Sequence, residues 1–114
     1  MTTLDDHQTL VAVCPYADLQ PDRGVAAILP SGAQVAVFLL SDGSLRAIGN
    51  IDPFSAAGVL SRGIVGDRAG TPVVVSPVYK QAFDLRTGAC LDDPSVTLPV
   101  YRVVHDENMI WVGH

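Results

Sequence analysis

Basic residues are scarce. The 114-residue chain has 7 Lys and Arg against 12 Asp and Glu, for a net charge of -5. Binding a polyanion takes clustered Lys and Arg that neutralise phosphates. Here they are scattered, which disfavours nucleic acid and anionic membrane surfaces as partners. Cysteine is nearly absent. Cys14 and Cys90 lie far apart and are expected to be buried thiols rather than a disulfide. Two cysteines without nearby ligands do not make a metal site. His7 and His114 sit near the ends and His105 in an expected hairpin turn, so all three read as solvated. No apolar run approaches the ~20 residues of a membrane helix. The polar, acidic start Met1-Thr2-Thr3-Leu4-Asp5-Asp6 lacks the basic and apolar parts of a secretory signal. A cytoplasmic protein is expected.

Helical periodicity is missing too, since no segment sustains it over three turns. What is present is 48% hydrophobic residues, cut into short runs by turn residues. Strands are expected at Thr9 to Pro15, Val25 to Leu29, Gln34 to Leu40, Leu45 to Gly49, Thr71 to Val75 and Gln81 to Leu85. A last hairpin is expected over Leu98 to Val104 and Asn108 to Val112, with Trp111 facing the core. Asp42-Gly43 is a strong hairpin signal. From Asp52 to Asp67, Pro53, Gly58, Gly63 and Gly66 read as loop, with at most one helical turn. Arg62 and Asp67 are expected to pair across that loop. This pattern predicts one all-β domain over 1–114, a sandwich or small barrel, with residues 1–7 a frayed tail.

Two loops carry the chemistry. The first is Asn50-Ile51-Asp52-Pro53-Phe54. The second is Ser76-Pro77-Val78-Tyr79-Lys80-Gln81, leading into Phe83-Asp84-Leu85-Arg86-Thr87-Gly88. With their frame, they resemble the Rieske-type domain, a β-sandwich with a small inserted subdomain, here residues 50–90. In that fold Cys-x-His and Cys-x-x-His loops grip a [2Fe–2S] cluster. Pro77 and the Phe-Asp-x-x-Thr-Gly turn match. The four ligand positions do not: Asn50, Asp52, Ser76 and Tyr79 stand there. Asn and Ser are poor iron ligands and cannot replace a thiolate. A degenerate site without a cluster, metal or catalytic residue is expected. Asp52 reads as a cap for the loop backbone. Tyr79 either fills the vacated volume and bonds Asp52 or Asn50, or stands exposed as a contact.

A cluster-less branch of the fold is more closely similar: the small subunit of NAD(P)H-dependent assimilatory nitrite reductase. The segments carrying this likeness are Asn50 to Phe54, Val59 to Asp67, and Ser76 to Leu85, with Cys14-Pro15. The resemblance implies a non-catalytic subunit that binds and supports a large subunit. FAD, sirohaem and a [4Fe–4S] cluster would belong to that partner, which reduces nitrite to ammonium. Candidate contact residues are Asp52, Phe54, Arg62, Tyr79, Lys80 and Gln81. Two alternatives remain at this stage. One is a Rieske-type electron carrier with atypical ligands; the other is a mononuclear metal enzyme using Asp52, Tyr79 and a histidine.

Overall fold

A computed structural model describes residues 2–5 and 8–113. The strands are β1 (Thr2–Asp5), β2 (Gln8–Pro15), β3 (Arg23–Ile28), β4 (Gln34–Leu39), β5 (Leu45–Gly49), β6 (Ile64–Arg68), β7 (Thr71–Val75), β8 (Ala82–Asp84), β9 (Val100–Asp106) and β10 (Met109–Gly113). Short 3-10 turns lie at Tyr16–Asp18 and Leu60–Arg62. A seven-stranded sheet runs β1-β2-β10-β9-β5-β4-β3, and a three-stranded sheet runs β6-β7-β8. All named pairings are antiparallel. The fold is all-β, as expected, with two antiparallel sheets.

β4 joins the two halves of the core. Side chains of a strand alternate between faces. Val35, Val37 and Leu39 enter one apolar cluster with Cys14, Ala47, Tyr101, Ile110 and Val112. Ala36 and Phe38, with Leu40 just beyond the strand, enter a second with Ile48, Leu60, Val74, Phe83 and Leu85. A strand buried on both faces must be apolar at every position, which explains the uninterrupted Val35 to Leu40 run. The second cluster fastens the small sheet to the large one, and one site loop springs from each, the first after β5 and the second between β7 and β8.

Several local expectations change. Thr2–Asp5, expected in a frayed tail, forms the edge strand β1 against β2. Met1, Asp6, His7 and His114 lie outside the described residues. β6 occupies a stretch read as loop because of its glycines. Gly63, just before it, is glycine because a Cβ there would lie 2.6 Å from both Val74 Cγ2 and Val75 O. Ile110 and Val112 are the inward residues of β10, so Trp111 faces outward and is half-buried. Its indole Nε1 donates to Asp106 O at 3.3 Å. His105 lies within β9 rather than in the turn, and its ring stacks on Tyr16 with centroids 4.0 Å apart. Cys14 and Cys90 are buried free thiols, as expected. Burial, then the charge of Asp18, pushes the Cys14 thiol up from its ordinary value.

Candidate functional site

The first loop leaves the end of β5 and is tied down by Asn50. The Asn50 amide is used at both ends: Oδ1 accepts from Ser61 N at 2.8 Å and Nδ2 donates to Gln34 Oε1 at 3.2 Å. Its backbone N–H donates to Gln34 O and its carbonyl accepts from Leu60 N. Gln34 was not singled out in the sequence; it sits at the start of β4, sixteen positions away.

Asp52 is the hub. Its side chain is 0% exposed. Oδ1 accepts from Phe54 N at 2.8 Å, the cap expected before Pro53. Its carbonyl accepts from Ala56 N at 2.7 Å and its N–H donates to Ala57 O at 2.8 Å, closing the loop. Oδ2 accepts from Ser76 Oγ at 2.5 Å, across 24 positions of sequence. Two of the four ligand positions therefore bond each other directly, one from each loop. The reading in which Tyr79 fills the vacated volume and bonds Asp52 or Asn50 does not describe the structure: Tyr79 is exposed, and those side chains bond Phe54, Ser76, Gln34 and Ser61 instead.

The second loop closes on itself. Ser76 N donates to Gln81 O, and Lys80 N donates to Ser76 O. Lys80 takes a left-handed backbone (φ 66°) to make this turn, and its Nζ donates to Pro77 O at 3.0 Å. The consequence is an outward tip. Tyr79 is 60% exposed, Val78 42% and, on the facing loop, Ile51 38%. Of the candidate contacts, Tyr79, Lys80 and Arg62 are exposed. Phe54 and Gln81 are half-buried. The Phe54 ring leans on Phe83 at 6.3 Å. Asp52 offers a partner no surface. Val78 and Ile51 complete the apolar tip. Their only sequence signal was position, an apolar residue inside each polar loop.

Below the tip, Asp84 holds the Phe-Asp-x-x-Thr-Gly turn. Oδ1 accepts from Arg86 N at 2.7 Å, and the Arg86 guanidinium closes an ion pair at 3.4 Å. Burial pushes this carboxyl up, but the Arg86 N–H, the guanidinium and the Thr87 N–H outweigh it and hold it below the usual range. The expected Arg62–Asp67 pair is not formed. Asp67 instead caps the β6–β7 turn by accepting from Gly70 N at 3.0 Å.

The donor set does not fit a [2Fe–2S] cluster. Such a cluster takes two thiolates and two imidazoles. Here the loops present an amide engaged at both ends, a carboxyl and a hydroxyl joined to each other, and an exposed phenol. Among the described residues no group of three or more His, Cys, Asp or Glu side chains is placed to hold a metal ion.

The frame is nonetheless that of a known family. Residues 9–113 match the model of the Rieske-like [2Fe-2S] domain. The chain is 41% identical over 90 residues to the nitrite reductase (NADH) small subunit of Salmonella typhimurium, covering 78% of this chain and 82% of that one. It is 36% identical over 103 residues to the nitrite reductase [NAD(P)H] large subunit of Klebsiella oxytoca, covering 90% of this chain but only 11% of that protein's length. It superposes at a TM-score of 0.90 on a crystal structure described as an NADH-dependent nitrite reductase small subunit from Mycobacterium tuberculosis, with 54% identity over 96% of this chain and 97% of that one. The chain belongs to the Rieske-like domain family, in its branch of nitrite reductase [NAD(P)H] small subunits.

Proposed function

We propose that this small subunit has no redox centre of its own and acts by docking its loop tip on the large subunit. The large subunit would carry FAD, sirohaem and a [4Fe–4S] cluster, and would reduce nitrite to ammonium with electrons from NAD(P)H. The observation that carries the reading is the Asp52–Ser76 bond. It joins the loops where the family's cluster would otherwise hold them, so the tip keeps its shape without iron. Tyr79 and Val78 then present apolar area on a fixed turn, and a tyrosine contributes contact area at little entropy cost. Asp52 positions that turn through Ser76, Asn50 ties down its own loop, and neither does chemistry.

The match inside the Klebsiella large subunit supports this choice of partner, since there a segment like this chain is part of a large-subunit polypeptide. The reading places the chain in the cytoplasm with the reductase. Among the described residues no helix is long and apolar enough to cross a membrane. The test is nitrite-dependent NAD(P)H oxidation by the isolated large subunit as this chain is titrated in. A saturable gain in rate or in half-life is expected, with no turnover by the chain alone. Turnover by the chain alone, or a large subunit indifferent to it, would refute the proposal.

A further inference from the structure

Beside the small sheet lies a trough that the loop tip does not account for. It consists of two adjoining hollows of 450 and 380 Å³, which share Asp22 and Val65. β6 forms one wall. The start of β3 and the turn between β4 and β5 form the other. β6 is the end strand of its sheet, and among the described residues Ile64 to Arg68 make no backbone hydrogen bond except to β7. An unpaired strand edge is a template for another strand.

The trough has chemistry as well as shape. Ile64, at its mouth, is 72% exposed. Arg62 and Arg23 line the same end, and neither forms an ion pair among the described residues. Arg46 lines the other half, together with Asp42 and Asp67. The mouth is also continuous with the tip: Ile64 pairs with Val75, the residue before Ser76.

From these features we infer that the trough receives an extended segment of the large subunit, which adds a fourth strand beside β6. The segment carries an apolar residue against Ile64 and a carboxylate facing Arg62 and Arg23. This rests on the proposed function and specifies a second contact, distinct from the tip.

The experiment compares the full chain with an Arg62→Glu/Ile64→Lys variant for binding to the purified large subunit, and follows amide exchange in the complex. Both positions are exposed, and a melting curve checks that the variant folds. Affinity should fall about tenfold or more, and amides within Ile64–Arg68 should be protected in the wild-type complex. Unchanged affinity, or binding without protection of β6, would overturn the inference while leaving the tip reading intact. So would a variant that abolishes only self-association, which would assign the trough to a second copy of this chain. No complex with the wild-type chain would overturn the proposed function, and this inference with it.

Discussion

Replacing Asp52 by alanine is expected to lower stability by about 3 kcal/mol, or roughly 10 °C or more in melting temperature for a domain of this size. The side chain is fully buried and accepts from Phe54 N and Ser76 Oγ. Hydrogen bonds to a charged group are worth about 1.5–3 kcal/mol each, and donors left buried without a partner cost about 1–3 kcal/mol. Relief from burying a carboxyl returns part of this, which sets the sum below a simple addition. Asp52→Asn keeps an acceptor for Phe54 N and should cost about half as much. A double-mutant cycle with Ser76→Ala checks the origin of the effect. Coupling of about 1 kcal/mol or more is expected if the bond between the loops is the cause. Additive losses would show that Asp52 acts only within its own loop.

Tyr79→Ala is expected to weaken binding to the large subunit by about 2 kcal/mol, near thirtyfold, with almost no change in melting temperature. Tyr79 is exposed on a turn fixed by its own backbone bonds, so the free chain loses little when it is removed. A bound tyrosine at the centre of an interface loses far more. Lys80→Ala should have a smaller effect, because its ammonium is already held by Pro77 O and lies at the surface. Calorimetric titration of the large subunit with each variant separates the two. Equal, small effects would move the contact away from the tip.

Much of the fold was legible in the sequence. The β4 run stood out because burial on both faces leaves a continuous apolar signature, and the Leu45 to Gly49 strand because it follows the Asp42-Gly43 hairpin turn. β6 was hidden, because Gly63 and Gly66 read as breakers. Gly63 instead allows close packing on Val74, and Gly66 sits on an open edge with nothing near it. Trp111 was misplaced because alternation fixes two faces without saying which is inside. The same split holds at the site. The Asp52 cap follows from residue type and local spacing, and the changed ligand positions from the resemblance to the Rieske-type domain. The Asp52–Ser76 and Asn50–Gln34 contacts join residues 24 and 16 positions apart, and no local pattern encodes such pairs. Arg62 and Asp67 are close in sequence, but the turn after β6 takes Asp67 to Gly70.

These features converge on a frame that keeps the shape of a cluster site with loops that bond to each other instead. The most direct test is the iron content of the purified chain from iron-replete cells. The account predicts substoichiometric iron, well below one per chain, and a colourless protein. About two irons per chain, with the visible spectrum of a Rieske centre, would contradict it.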